Sequence, residues 1–123
     1  MDIYQQNILD YYKHPGKRGT LIDPTNQGTA ANPLCGDQVE LKLKVQNGTI
    51  VQARWNGEGC VLSLAAADML AEHLEGKQVA EASTATKAWM LESLGVELGP
   101  NRLKCALLPL DALEQIQQLG LNS

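Results

Sequence analysis

The sequence predicts a mixed fold in which helices stand before and after one antiparallel β-hairpin. Three observations carry this expectation. Apolar and polar residues alternate on both sides of Asn47-Gly48, apolar residues recur at helical spacing elsewhere, and glycine or proline marks each junction. With 123 residues, 44% of them hydrophobic and none of them Phe, the chain can bury a core of Leu, Val, Ile and Ala without disulfide staples. Residues 1–123 are therefore read as one globular, soluble domain.

Ile3, Tyr4, Ile8, Tyr11 and Tyr12 fall at helical spacing behind Asp2, a good N-cap, so 2–13 reads as an amphipathic helix ended by His14-Pro15-Gly16. From 15 to 33 the chain is rich in Gly, Pro, Thr and Asn without a sustained period, and it reads as an irregular loop. Val39, Leu41, Leu43 and Val45 alternate with Glu40, Lys42, Lys44 and Gln46, the pattern of a strand with one buried face. A two-residue turn at Asn47-Gly48 would set Leu43 against Gln52. A three-residue loop over 46–48 instead pairs Val45 with Thr49, Leu43 with Val51, Leu41 with Ala53 and Val39 with Trp55, and that register is expected.

Further along, Leu62, Ala66, Met69, Leu70 and Leu74 form a helical stripe over 61–75, capped by Gly76. A second helix is expected from 79 or 83 to 94, stopped by Gly95. A last one carries Leu107, Leu110, Leu113 and Ile116; Pro109 in its first turn would start it within a few residues of Cys105.

The three cysteines are dispersed as Leu34-Cys35-Gly36-Asp37, Gly57-Glu58-Gly59-Cys60 and Leu103-Lys104-Cys105. Glycine beside a thiol lets the backbone approach another group closely, and a helix start favours a thiolate. Hairpin pairing brings the chain before Asp37 and after Gly57 to one end of the sheet, so Cys35 and Cys60 are expected as neighbours; no local argument places Cys105. Cys35, Asp37, Cys60 and Cys105 together offer three thiolates and one carboxylate, a set suited to tetrahedral zinc or an iron–sulfur cluster. There is no CxxC pair, and the competing reading is of three small buried hydrophobes.

A net charge of −4 and scattered Lys and Arg exclude a phosphate-backbone footprint, so nucleic acid is not an expected partner. No apolar run reaches the ~20 residues that span a bilayer. The polar start of the chain and an odd number of cysteines point to free thiols in the cytoplasm. His73 reads as a helix-face residue, His14 as a helix end, and Trp55 and Trp89 as packing groups. Lys13, Lys17 and Arg18 read as a solvated face.

Asn32-Pro33-Leu34-Cys35-Gly36-Asp37, Gly57-Glu58-Gly59-Cys60-Val61-Leu62-Ser63 and Arg102-Leu103-Lys104-Cys105 resemble, in order and spacing, the three signature segments of the U-type iron–sulfur cluster assembly family: IscU, SufU and the N-terminal domain of NifU. Asp10-Tyr11-Tyr12-Lys13-His14-Pro15 resembles that family's first helix and loop. The resemblance implies a small α+β fold, a three-stranded antiparallel sheet with helices packed on one face. It also implies a protein that accepts persulfide sulfur from a cysteine desulfurase, holds zinc, iron or a transient [2Fe-2S] cluster, and serves downstream cluster or sulfur acceptors. Cys35, Cys60 and Cys105 match the thiol ligands and Asp37 the carboxylate beside them; Cys105 matches the scaffold's persulfide carrier, whereas SufU-type transfer points to Cys35. Lys13, Lys17 and Arg18 become candidates for desulfurase contact.

Two departures mark this chain. IscU-type scaffolds carry His before the last cysteine, where this chain has Lys104, as SufU does; an ammonium cannot coordinate without losing its proton, which favours Asp37 as fourth ligand. The insertion that SufU carries before its last cysteine is not found, and the segment by which IscU engages its Hsp70 is replaced by Gly99-Pro100-Asn101-Arg102. A zinc-dependent sulfurtransferase that builds no cluster and a closed structural zinc domain are the alternative readings. A cysteine-nucleophile enzyme would need His14 or His73, and nothing in the sequence positions either ring.

Overall fold

A computed structural model describes residues 2–34 and 36–121. Helix α1 (Ile3–Lys13) is followed by strands β1 (Asn26–Asn32), β2 (Asp37–Gln46) and β3 (Thr49–Glu58). Helix α2 (Val61–Leu74), a 3₁₀ segment (Val79–Thr84), α3 (Lys87–Leu94) and α4 (Pro100–Gln118) complete the chain. The sheet is antiparallel in the order β1-β2-β3, and α2 and α4 both pack on it.

Helix α1 begins as its sequence demands: the Asp2 carboxylate accepts the Gln5 N–H at 2.8 Å, and His14 forms the C-cap. The stretch 15–33 is not wholly irregular, because β1 lies within it. Its sequence, Asn-Gln-Gly-Thr-Ala-Ala-Asn, has no apolar alternation; it is a strand because β2 pairs with it along its full length and α4 lies against it. Gly28 permits that approach. A Cβ there would stand 2.4 Å from the Ala112 carbonyl oxygen and 2.8 Å from Ile116 Cγ1.

The hairpin corrects the sequence reading. Asn47 and Gly48 take φ of 52° and 76°, both positive as a two-residue type I′ turn requires, so Gln46 faces Thr49 and Val45 faces Ile50. Val51 is then passed over by the ladder: Lys44 faces Gln52, Leu43 faces Ala53 and Leu41 faces Trp55. This β-bulge supplies the one-residue correction that the expected three-residue loop was meant to supply, and it leaves Ile50, Ala53 and Trp55 buried while Val51 faces solvent.

Helix α2 is more than amphipathic. Every residue from Ser63 to Ala71 is buried, because α1, α4 and the sheet surround it. Asp68 is tolerated there, 1% exposed, because its Oδ1 accepts the Trp55 indole N–H and the Lys17 backbone N–H, both at 2.8 Å. Lys17 and Arg18 are tied to the fold. The Lys17 ammonium pairs with Glu75, and the Arg18 guanidinium lies 4.9 Å from the centre of the Trp55 ring while donating to the Gly57 carbonyl at 2.7 Å.

The expected helix from 79 or 83 to 94 is two elements, since Ala85 leaves helical geometry and Thr86 starts α3 by accepting the Trp89 N–H. Gly95 ends α3 in the left-handed region at φ 65°, with the Tyr4 ring packed where a side chain would be. The last helix starts earlier than expected. Pro100, not Pro109, occupies its first turn, and Pro109 is interior and fully buried. Lacking an N–H, Pro109 cannot bond the Cys105 carbonyl one turn back. His73 behaves as a helix-face residue, 3.1 Å from Thr84 Oγ1 and tilted by 35° against the Trp89 ring at 4.3 Å between centroids; burial and nearby Lys77 hold its pKa below the ordinary value.

Candidate metal centre

Three of the four sequence-predicted residues converge. One ligand atom each from Asp37, Cys60 and Cys105 lies within 4.8 Å of the other two. Cys35 lies outside the described residues, as does any contact it makes. Its neighbours frame the site: Asn32 pairs with Asp37 across 33–36, Gly36 donates to the Asn32 carbonyl at 2.9 Å, and Asn32 and Leu34 line the same cavity as Cys60 and Cys105.

Each group is delivered by a different element. Asp37 is the first residue of β2 and is 4% exposed. Gln38 faces Glu58, so Asp37 stands opposite Gly59, one position before Cys60. A Cβ on Gly59 would fall 2.8 Å from Asp37 Cγ and 2.9 Å from its Oδ1, so the missing side chain is what admits the carboxylate. Cys60 is exposed and forms the N-cap of α2. Cys105 comes from the second turn of α4, not from its start, so the helix-start argument for its thiolate does not apply.

The electrostatics make this a strained set for protons and a good one for a cation. Asp37 Oδ2 is buried with no hydrogen-bond partner among the described residues. The Cys105 thiol is pushed up to about 12 by burial first, then by hydrogen bonding to and charge on Cys60 and Asp37. A divalent cation would take up that oxygen and favour deprotonated sulfur. The buried orphan oxygen and the mixed sulfur and carboxylate donors thus fit a zinc or iron ion.

The site opens into a cavity of about 870 Å³, walled by aliphatic residues that include Ile8 and Leu9 of α1 and Val96 and Leu98 after α3. Arg102 and Lys104 stand exposed on its rim and form no ion pair among the described residues. Sequence reasoning did not find this wall, since residues 96–98 carry no periodic signal. Ser63 ends the second signature segment but was given no role, although its spacing three residues after Cys60 on a helix start was the available clue.

The chain matches the family model described as the NifU-like N terminal domain over residues 3–118. It belongs to that family. Among relatives of this NifU-like domain, the zinc-dependent sulfurtransferase SufU of Bacillus subtilis is 33% identical over 130 residues, covering 92% of this chain and 88% of its own. The iron–sulfur cluster assembly scaffold protein IscU of Haemophilus influenzae is 32% identical over 115 residues, covering 90% of each chain. A crystal structure of a putative iron–sulfur cluster assembly scaffold protein for the SUF system, from Fervidobacterium islandicum AW-1, matches with a TM-score of 0.80 at 27% identity, over 90% of this chain and 93% of that one. The likeness extends to the three-stranded sheet and its helices. The SufU alignment runs over 130 positions although 92% of this chain takes part, so that relative carries residues the NifU-like domain here lacks. Among the described residues no helix is long and apolar enough to cross a membrane.

Proposed function

We propose that this chain is an iron–sulfur cluster assembly protein. In this reading Asp37, Cys60 and Cys105, with Cys35 as the further thiol, hold a metal or nascent [2Fe-2S] cluster whose sulfur comes from a cysteine desulfurase. The observation that carries it is the convergence of three ligand atoms within 4.8 Å, one of them from Asp37, whose buried Oδ2 has no hydrogen-bond partner among the described residues. Iron and the cluster are cargo, passed on to downstream acceptor proteins. Zinc, as a resident ion, would be held by the same side chains and would keep their sulfurs deprotonated. The four ligands together carry more negative charge than a divalent ion neutralises, and exposed Arg102 and Lys104 are the cations placed to offset the excess.

Sulfur transfer itself needs only a thiolate and access. The acceptor thiolate, Cys105 or Cys35, attacks the outer sulfur of the desulfurase persulfide. A new S–S bond forms as the donor's breaks, the electron pair leaves on the donor cysteine as thiolate, and no net oxidant is consumed. Lys13 is exposed and available to a partner, whereas Lys17 and Arg18 are already engaged within the fold. Within the site, Asp37 is the hardest and most exchangeable ligand, and Asp37→Ala should slow loss of cluster to a chelator; unchanged release would count against that role.

A second reading, transfer by a zinc-bound site without cluster building, is favoured by Lys104 before Cys105 and by the likeness to SufU. Two measurements separate them. Protein purified and reconstituted with iron and sulfide should hold both in cluster stoichiometry under the first reading; zinc alone, with strong stimulation of the desulfurase, supports the second. After incubation with desulfurase and cysteine, mass spectrometry should find a persulfide on Cys105 or Cys35. Protein that binds neither metal nor sulfur would sink both readings.

A further inference from the structure

We propose that Ser63 is a positioning residue of this centre, whose hydroxyl donates a hydrogen bond to the Cys60 sulfur once that sulfur is a metal-bound thiolate. The inference rests on the metal centre proposed above.

Ser63 lies in the first turn of α2 and is fully buried, the one hydroxyl in a helix otherwise filled at its buried positions almost entirely by Ala, Leu and Met. Among the described residues its Oγ has two hydrogen-bond partners, both on Cys60. The Cys60 thiol donates to it across 3.6 Å, and the hydroxyl donates to the Cys60 carbonyl oxygen at 3.1 Å. That carbonyl does not depend on the serine, because it already accepts the Leu64 N–H at 3.2 Å as the first bond of the helix. The hydroxyl proton is therefore free to move without leaving a buried acceptor empty.

Deprotonation of Cys60 makes that move favourable. A cation held here would displace the thiol proton to solvent, which reaches the exposed Cys60, and would leave the sulfur an acceptor only. The thiol-to-hydroxyl bond is lost. Rotation about the Ser63 Cβ–Oγ bond then turns the hydroxyl from a neutral carbonyl to a charged sulfur at the distance already set, and a charge-assisted bond is the stronger of the two. Gly59 holds both sides of this arrangement open. A Cβ there would lie 2.6 Å from Ser63 Oγ and 2.8 Å from Asp37 Cγ, so the same missing side chain admits the hydroxyl beside one ligand and the carboxylate that is another. Outer partners of this kind orient a ligand and tune the metal it holds.

The test titrates Co²⁺ into the full chain and into Ser63→Ala, reading the sulfur-to-cobalt charge-transfer band and the affinity, with thermal melts of each protein before metal is added. Loss of the hydrogen bond should raise the sulfur lone pairs in energy, move the band to longer wavelength and weaken Co²⁺ binding by about tenfold. The melt should be unchanged or higher, since alanine is the better helix former. Ser63→Thr, which keeps a hydroxyl, should return the band toward its original position. A folded Ser63→Ala protein with unshifted band and affinity within twofold overturns the proposal, as does weaker binding with an unshifted band and a lowered melt, which would mark Ser63 as packing only. Absence of any thiolate band in the unsubstituted chain overturns the metal centre itself and this inference with it.

Discussion

Gly59→Ala tests the site at its tightest contact. The added methyl would stand 2.6 Å from Ser63 Oγ, 2.8 Å from Asp37 Cγ and 2.9 Å from Asp37 Oδ1, where ordinary contact begins at 3.4 Å. Ser63 cannot withdraw, being fully buried on α2, and the Asp37 backbone is held by its pairing with Asn32. The Asp37 carboxylate therefore has to swing away by roughly 0.5 Å, about the tolerance within which a ligand constellation keeps its geometry. Displacing such a group weakens metal binding by about 10–100-fold, or ~1.4–2.7 kcal/mol. The fold itself should lose ~1–3 kcal/mol, the cost of an overpacked contact, because the methyl also meets the fixed Ser63 hydroxyl at 2.6 Å. Competition for Zn²⁺ against a chromogenic chelator reads the first effect, and thermal melts without added metal read the second. An affinity within twofold of the unsubstituted chain would refute the reasoning, since it would mean that the carboxylate is not held in coordinating position by this close approach.

Two further outcomes follow from the packing around the site. Burial alone would raise the Glu75 pKa, but hydrogen bonds from Lys17, from the Ala53 N–H and from Arg54 outweigh it and hold the carboxyl below its ordinary value of 4.5. A depressed folded-state pKa contributes stability that is complete above the ordinary value and is lost as pH falls through the folded one. Urea melts should therefore show stability declining below about pH 4.5, and Glu75→Gln should cost ~1–2 kcal/mol at pH 7 and flatten that decline; parallel curves would contradict it. Gly28→Ala drives a methyl to 2.4 Å from a helix carbonyl that cannot rotate away, and it should lower stability by ~1–3 kcal/mol with a matching fall in melting temperature.

What the sequence revealed depended on whether local chemistry or long-range packing set each element. Asp2 announces α1 because its carboxylate caps the very next turn, and Gly95 announces the end of α3 because the left-handed conformation favours glycine. Strand β1 is silent. Its polar residues pair with β2 and meet α4, where the Gln115 side chain accepts the Thr29 N–H at 2.7 Å, and no window of β1 alone records that partner; only the family resemblance implied a third strand. The ligand types were legible as cysteines and an aspartate beside glycines. Bringing Cys105 to the others required the course of α4, which Pro109 obscured by suggesting a helix start where there is a helix interior. Ser63 was hidden because a serine after a cysteine reads as an ordinary helix-start residue until its burial is known.

The hairpin register also decides whether a site exists. In the register expected from sequence, with Val39 facing Trp55, Asp37 would face Gly57 and Cys60 would lie beyond it. The Asn47-Gly48 turn and the Val51 bulge instead carry β3 two positions along, so that Gln38 faces Glu58 and Asp37 stands at Gly59. This makes a counterintuitive outcome testable. Deleting one residue inside a strand ordinarily turns every later side chain to the wrong face. Deleting Val51 should not, because the ladder already passes over it: Val45 would still face Ile50, Lys44 would face Gln52, and Ile50, Ala53 and Trp55 would stay on the buried side. The shortened chain should fold, lose no more than ~1–2 kcal/mol through the lost local twist, and bind Zn²⁺ with affinity close to that of the full chain. Deleting Gln52 should give the same ladder with Val51 in its place, whereas deleting Arg54, beyond the bulge, should slip the register and abolish metal binding. Loss of binding on removal of Val51 would mean that the bulge itself, and not the pairing it preserves, holds Asp37 beside Cys60.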